Sequence, residues 1–277
     1  MAVTAAMVKE LRQATDAPMM DCKKALTECD GDMGKAKEFL RERGIAKSAK
    51  KADRIAAEGS AGLKVSADFS KATVVEINSE TDFVAKNGEF QAVGQKIVDL
   101  AFDQSPATTE ELLALKYDDL TIAEKLSELV GKIGEKLEIA YYERMTGEVV
   151  VPYIHAGSKL GVLVSLSNAN GSDVKAAGRD VAMQIAAMKP IAVGRDSVDQ
   201  ATIDHELAIG REQALAEGKP EHIIDKIAQG KLNKFFSENT LLAQKFVKDN
   251  SMTIEQYLNS VQNGLTVTDF KRISIGG

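Results

Sequence analysis

One pattern of predicted secondary structure occurs twice in this chain and limits the folds that the chain can adopt. The segments GLKVSAD and KATVVEIN predict two strands, and the helix that follows them ends before Pro106. EVVVPYIHAG and LGVLVSLS predict two more strands, and their helix ends before Pro190. The positions that share a face in these elements are Thr73, Val75, Ile77, Phe90, Val93, Ile97 and Leu100 in the first copy and Val162, Val164, Leu166, Ala177, Val181, Ile185 and Met188 in the second. The repeat predicts a duplicated α+β core in which helices pack on antiparallel sheets.

The segments between and after the copies predict further helices and strands. A helix starts at the capping box of Thr121 and Glu124. Its predicted buried positions are Ile122, Leu126, Leu129 and Ile133. IAYYERM predicts a strand, and the short turns after it predict an antiparallel meander through residues 138–167. The chain closes with a predicted helix, TIEQYLNSV, and a predicted strand, TVTDFKRISIG.

An insertion in the second copy predicts a helical hairpin at residues 199–236. Two predicted helices flank the turn EGKPE, and their apolar residues form narrow seams. These residues are Ile203, Leu207, Gly210 and Ala214 in the first helix and Ile223 and Ile227 in the second. Narrow seams favour an inserted antiparallel coiled-coil hairpin. A projecting arm for assembly and a purely structural arm both stay open.

Residues 4–44 predict a head of three short helices. Thr4 can cap the first helix, and Pro18 suits the first turn of the second, where its missing N–H would be unpaired in any case. Asp32 is predicted to open the third helix, and Gly44 is predicted to end it.

The second predicted helix of the head carries an apolar stripe. Met19, Cys22, Leu26 and Cys29 share one face, so we interpret both cysteines as small core residues. Met20 points about 100° away from that stripe and is expected to be exposed. An exposed methionine suits a contact surface that adapts to a partner, and a surface methionine without a role is the alternative.

A basic segment follows the head. Lys47, Lys50, Lys51 and Arg54 fall on one predicted helical face, which fits either a solvated linker helix or an RNA-facing patch. The net charge of −6 disfavours direct binding of nucleic acid by the whole protein. The predicted divisions are a head with its linker at 1–53, a first core subdomain at 54–140 and a second at 141–277.

The sequence offers little for catalysis, metal binding or membrane insertion. It contains no run of about 18 apolar residues, and its start lacks the pattern of a signal peptide, so we expect a cytoplasmic protein without membrane contact. Cys22 and Cys29 lack the CxxC spacing of a metal or redox site, and the three histidines are far apart. We expect no cofactor, no metal and no enzymatic active site.

The connection from the second strand to its helix is longer in the first copy. Eight positions separate Leu166 from Val174, whereas thirteen separate Ile77 from Phe90. Since the shorter connection suffices for the fold, the extra chain in the first copy is a candidate for function. This extra chain carries the stretch TDFV, which consists of Thr81, Asp82, Phe83 and Val84.

Two interpretations of this stretch stay open. Ser79 and Asp82 fit a capping box, with Phe83 turned inward as a filler of the core. A short capped helix could instead hold Asp82 rigidly while Phe83 projects into solvent.

Four segments, in order, resemble the translation elongation factor Ts family, which exchanges the nucleotide bound to elongation factor Tu. These segments are VKELRQATDAPMMDCKKAL, TDFVAKNGEF, HAGSKLGVLV and the hairpin between MKP and KFF. The resemblance covers essentially the whole chain. It implies a three-helix head that is similar to ubiquitin-associated domains, a core of two subdomains and a coiled-coil arm.

The resemblance also implies a partner, GDP-bound elongation factor Tu, and residues that contact it. In the family the head packs on the GTPase domain, so Leu11, Met19 and Met20 become contact candidates. The second core subdomain grips another domain of the GTPase, and His155 and Gly161 lie in the matching segment.

The TDFV stretch of the family enters near the magnesium side of the nucleotide site, and the ion is dislodged. By resemblance, Asp82 and Phe83 would act as a wedge without any covalent step. Many members continue into a C-terminal helix, whereas this sequence ends at ISIGG, so a contact through such a helix is not expected. A homodimer or a 2:2 complex through the core or the arm stays open. The alternative function is a ubiquitin-associated-like protein-binding scaffold without exchange activity.

Overall fold

The computed structural model describes residues 3–15, 17–155, 157, 159–170 and 173–276 and combines helices with antiparallel strand pairs, which confirms the predicted α+β class. The helices are α1 (Ala5–Thr15), α2 (Met19–Glu28), α3 (Met33–Ala49), α4 (Asp82–Ala85), α5 (Gly88–Gln104), α6 (Thr109–Ala114), α7 (Ile122–Ile133), α8 (Val174–Met188), α9 (Gln200–Ala216), α10 (Glu221–Asn239) and α11 (Ile254–Val261). The strands are β1 (Glu58–Val65), β2 (Lys71–Ser79), β3 (Lys116–Tyr117), β4 (Leu120–Thr121), β5 (Leu137–Thr146), β6 (Val149–Ile154), β7 (Leu160–Ser167), β8 (Lys245–Phe246), β9 (Asp249–Thr253) and β10 (Thr266–Ser274). Within the described residues, no helix is long and apolar enough to cross a membrane.

The chain divides into two compact units. The first contains the head up to Lys64, Thr73–Glu143 and the end of the chain from Ser274. The second contains the hairpin tip Val65–Ala72 and Arg144–Ile273. The three predicted divisions at 1–53, 54–140 and 141–277 stay a prediction.

The three helices of the head pack around a small core. Leu11, Cys22 and Leu26 are fully buried there, as the stripe on α2 predicts for the last two. Met19 is 53% exposed, so its predicted place in this core is wrong. It is the first residue of α2, and the buried side chains of that helix begin one turn later, at Cys22. The likeness of the head to ubiquitin-associated domains stays a prediction.

Gly44 does not end α3, contrary to its predicted role. The helix continues to Ala49, and Gly44 is buried where α3 crosses α7. A Cβ atom on Gly44 would lie 3.3 Å from the backbone oxygen of Ser127, and one on Gly131 would lie 3.3 Å from the Gly44 Cα. Glycine at these positions lets two helix backbones approach closely.

The four basic residues after the head do not share a helical face, because α3 ends at Ala49. Lys47 forms an ion pair with Asp21 at 2.7 Å, and Arg54 forms one with Glu80 at 3.2 Å. The ammonium group of Lys51 donates to the backbone oxygen of Gly134. Three of the four cations therefore contact their own chain, which disfavours the RNA-facing patch.

Each core sheet has three strands, in the orders β1-β2-β5 and β10-β7-β6. β6 and β7 pair antiparallel, with Ile154 opposite Gly161, which confirms the second half of the predicted meander. The first half is wrong, since β5 pairs with β2 in the first sheet. In both sheets the second strand of the copy lies in the centre.

The repeat is longer than the sequence pattern indicated. After α5 and after α8, each copy adds a two-stranded hairpin, a helix with a capping box and a closing strand. The segments TIAEKL and TIEQYL carry the two capping boxes in the sequence. Both α5 and α8 end at a left-handed residue before proline, Ser105 with φ 50° and Lys189 with φ 48°. Met188 is exposed, so its predicted position on the buried face of α8 is wrong.

The predicted helical hairpin is formed by α9 and α10, which pack against each other. A Cβ atom on Gly210 would lie 3.0 Å from the Ala228 Cα, so small residues let these two helices approach closely. The buried positions of α10 are Ile224, Ala228, Leu232 and Phe236, one residue later than the predicted Ile223 and Ile227. Coiled-coil packing of the hairpin stays a prediction.

Candidate functional site

The stretch TDFV forms a single helical turn between β2 and α5. Thr81 caps α4, and its hydroxyl accepts the Val84 N–H at 3.5 Å. The predicted capping box of Ser79 and Asp82 is therefore wrong, because Thr81 caps the turn and the Ser79 hydroxyl donates to the Thr81 carbonyl at 3.0 Å. Phe83 is 83% exposed, so the inward-filler interpretation is wrong and the projecting one is confirmed.

The opposite face of α4 anchors the turn. Val84 and Ala85 are buried, and Val84 belongs to the core cluster that contains Ile77 and Phe90. A helical turn of four residues has no stability of its own in water, since isolated helices shorter than about 12–15 residues are marginal. The direction of Phe83 therefore depends on the contacts that hold the turn.

Two glutamates join the start of this turn to the segment that follows α7. The Glu135 carboxylate accepts the Thr81 N–H at 2.9 Å and the Thr81 hydroxyl at 2.7 Å. The Glu80 carboxylate accepts the Lys136 N–H at 2.6 Å and also contacts Arg54 at 3.2 Å. The bond from the Lys136 N–H is the main cause that lowers the pKa of Glu80. Each glutamate thus binds the backbone beside the other.

Asp82 does not present an isolated negative charge. Its carboxylate pairs with the Lys86 ammonium group at 2.7 Å, one turn further along the chain. This hydrogen bond raises the pKa of Lys86.

The three contact candidates of the head differ in how far their side chains are exposed. Met20 is 72% exposed, and Met19 next to it is about half exposed, so both thioethers are accessible. Leu11 is fully buried in the head core. Its side chain cannot touch a partner directly in this structure and acts instead by holding α1 on the other two helices.

The two candidates of the second unit lie at the end of the β6–β7 hairpin. His155 is exposed, its N–H donates to the Leu160 carbonyl at 2.9 Å, and its Nδ1 lies 2.8 Å from the Tyr153 hydroxyl. Gly161 is buried in β7 opposite Ile154, whose side chain is exposed. Gly161 is therefore covered by its own chain, and its contact with a partner stays a prediction.

The predicted site residues fall into three groups. Thr81, Asp82, Phe83 and Val84 lie together on one turn, Leu11, Met19 and Met20 belong to the head, and His155 and Gly161 belong to the second unit. Among the described residues, no group of three His, Cys, Asp or Glu side chains could hold a metal ion.

The sequence pattern missed Glu80 and Glu135. The partners Glu135 and Thr81 are 54 positions apart, and a single sequence carries no signal for that pairing. The one local hint is Gly134, a residue typical of helix ends, which places Glu135 directly after α7.

Comparisons with known proteins show the family of this chain. The family described as "Elongation factor TS" matches residues 80–277. Proteins named elongation factor Ts from Amoebophilus asiaticus, Cytophaga hutchinsonii and Porphyromonas gingivalis are 53%, 51% and 48% identical to this chain, and each alignment covers 99% or more of both chains. These matches place the chain among translation elongation factors. More specifically, the chain belongs to the elongation factor Ts family, an assignment that does not favour a scaffold without exchange activity.

Proposed function

We propose that this chain binds GDP-bound elongation factor Tu and promotes the release of GDP. The observation that carries the proposal is the exposed ring of Phe83 on a turn with two anchors. Val84 is buried in the core, and Glu135 binds Thr81 at the start of the turn. An aromatic side chain in water costs free energy unless a partner covers it. Because the turn is held in place, the Phe83 side chain can displace groups of the partner instead of folding back onto its own chain.

The mechanism needs no covalent step. A bound nucleoside diphosphate is held through its phosphates by Mg²⁺ and by backbone N–H groups. A wedge that shifts the elements carrying these groups weakens the nucleotide, and the nucleotide weakens the wedge by the same factor. A thousandfold effect corresponds to about 4 kcal/mol of coupling, a size that a few anchoring side chains can supply.

Asp82 is the second element of the proposed wedge. Its ion pair with Lys86 is exposed and joins residues one helical turn apart, and water and salt screen pairs of this kind. The carboxylate can therefore leave Lys86 at low cost when it meets the surroundings of the Mg²⁺ ion of the GTPase.

Further contacts complete the proposal. Met19 and Met20 would pack on the GTPase domain, and the end of the β6–β7 hairpin, which carries His155 and Gly161, would contact a second domain of the partner. We further propose that the chain acts in the cytoplasm as an exchange factor, without enzymatic catalysis and without direct nucleic acid contact. A homodimer or a 2:2 complex through the core or the hairpin is a further proposal.

The proposal is tested by following the release of fluorescent GDP from elongation factor Tu in a stopped-flow instrument. We expect Phe83→Ala to slow release at saturating factor about thirtyfold, as the loss of a 2 kcal/mol anchor would. Leu215→Ala is the matched control, since it shortens another apolar side chain, 60% exposed, in the α9–α10 hairpin. Equal rates for the two variants would contradict the wedge.

A further inference from the structure

We infer that Glu135 is a positioning residue of the exchange site, which sets the direction of Phe83 by holding Thr81. The inference rests on the proposed function. Glu135 itself lies outside the TDFV stretch and acts only through the residue that caps α4.

Glu135 holds the residue that caps α4 at two points. Both oxygens of the Glu135 carboxylate are used, one for the Thr81 N–H and one for the Thr81 hydroxyl. Because the hydroxyl proton points at Glu135, a lone pair of the same oxygen is left for the Val84 N–H. The carboxylate thus fixes both the backbone and the side chain of the residue from which α4 starts.

The segment that carries Glu135 is itself held in place. Glu135 follows Gly134, which ends α7 in the left-handed conformation with φ 89°. Helix α7 buries its apolar face in the first core, and the ammonium group of Lys51 binds the Gly134 carbonyl. The Glu80 carboxylate binds the Lys136 N–H, so the two segments are joined in both directions. A short turn held in this way cannot rotate freely about its own ends.

The second copy contains a comparable contact from a glutamate. There the Glu148 carboxylate accepts the N–H groups of Asn168 and Ala169, each at 2.8 Å, directly after the central strand β7. The connector that it holds, NANGSD, contains no aromatic residue. In both copies a glutamate carboxylate therefore binds the chain just after the central strand, once beside a projecting Phe and once without one. Glu148 provides the matched control for Glu135.

The experiment compares Glu135→Ala with Glu148→Ala in the full-length chain, and titrates each against elongation factor Tu loaded with fluorescent GDP. For Glu135→Ala we expect the maximal release rate to fall about fivefold, the equivalent of losing a helix cap worth about 1 kcal/mol. The concentration that gives half-maximal release should stay the same, since the binding surface remains. Glu148→Ala should leave both quantities unchanged. Glu135→Gln should keep most of the rate, because its amide can still pair with the Thr81 N–H and hydroxyl.

A double-mutant cycle separates positioning from a merely structural effect. If Glu135 acts through Phe83, then Glu135→Ala should cause no further loss in the Phe83→Ala background. Additive losses would overturn the inference, as would a wild-type release rate for Glu135→Ala beside a slow Phe83→Ala. A wild-type rate for Phe83→Ala would instead overturn the wedge and the inference together. Should Glu135→Ala fail to fold, Glu135→Met keeps the length of the side chain without its carboxylate and carries the same test.

Discussion

Gly134 sets the end of α7 and the start of the segment that supports Thr81. Its φ of 89° lies in the left-handed region, where a side chain with a Cβ atom is strained. We expect Gly134→Ala to lower the free energy of unfolding by about 1 kcal/mol, as measured by urea denaturation.

The control for this prediction is Gly230→Ala in α10. Gly230 is helical and exposed, and a Cβ atom there would meet nothing within 4 Å. The same substitution should raise the free energy of unfolding by about 0.5–1 kcal/mol at this position, since alanine is the better helix former. Equal effects at the two positions would contradict the role given to the left-handed φ.

We expect Glu76 to make the free energy of unfolding lower at neutral pH than at acidic pH. The residue lies in β2 with 8% of its surface exposed, and burial raises the pKa of its carboxyl group. Between the unfolded and folded pKa values the folded state binds more protons than the unfolded state, so stability falls as the pH rises through this window. We expect Glu76→Gln to be more stable than the wild type at pH 7, with a gain that shrinks as the pH approaches about 4.3.

Urea denaturation at a series of pH values measures this gain. Glu212→Gln in α9 is the control, because its carboxylate is exposed and its charge interacts with water. A pH-independent gain for Glu76→Gln would show that the raised pKa of Glu76 does not affect the free energy of unfolding.

At the scale of elements, the crossing of α3 and α7 joins the head to the helix that supports the candidate site. Leucine at Gly44 would place its Cβ 3.3 Å from the Ser127 oxygen and its remaining atoms inside the helix contact. We expect Gly44→Leu to lower the free energy of unfolding by about 2–3 kcal/mol in urea denaturation, because overpacking pushes the helices apart.

The matched variant is Gly230→Leu, which adds the same side chain to an open helical position. It should be neutral or slightly stabilising. A loss of similar size in both variants would mean that the close approach at Gly44 is not what selects glycine there.

The elements that could be predicted from the sequence are those whose ends depend on nearby residues. The capping box of Thr121 and Glu124 and the stops before Pro106 and Pro190 act within about one helical turn, and the structure has them where the sequence indicates. The comparison of the two copies also identified the stretch that carries Phe83 as a candidate for function, and the structure was needed to show that its ring projects.

The remaining features depend on residues far away in the sequence. Gly44 resembles a helix stop until Ser127 of α7 is seen against it. Ser79 fits the local pattern of a cap as well as Thr81 does, and the Glu135 carboxylate that binds Thr81 lies 54 positions away in the sequence. Strand β5 could pair on either side by its own pattern, and only the assembled first sheet shows that it closes the first copy.

At the scale of the whole molecule, the two copies share an element order and differ in what each adds to it. The first copy adds α4 after its central strand, and the second adds the α9–α10 hairpin after α8. The hairpin leaves and rejoins its unit at one place. Ala192 and Thr240 form a parallel bridge there, and the N–H groups of Ile191 and Leu241 donate across it, both at 2.9 Å.

The apolar contacts of the hairpin base form a cluster of their own. Ala192, Val198, Leu232 and Phe236 bury one another, apart from the large core cluster of the second unit, which contains Leu241. The hairpin base thus has apolar contacts of its own, separate from the main core of the unit.

We therefore expect the second unit to stay folded when residues 195–237 are replaced by a flexible linker. Because the pairing at the base is parallel, Gly194 and Glu238 lie at opposite ends of it, and a linker of about eight Gly and Ser residues spans the roughly 15 Å between them. The far-UV circular dichroism should lose the signal of α9 and α10, while amide hydrogens of β7 and α8 keep their slow exchange. Fast exchange in β7 would show instead that the hairpin is part of the core that holds the second copy together.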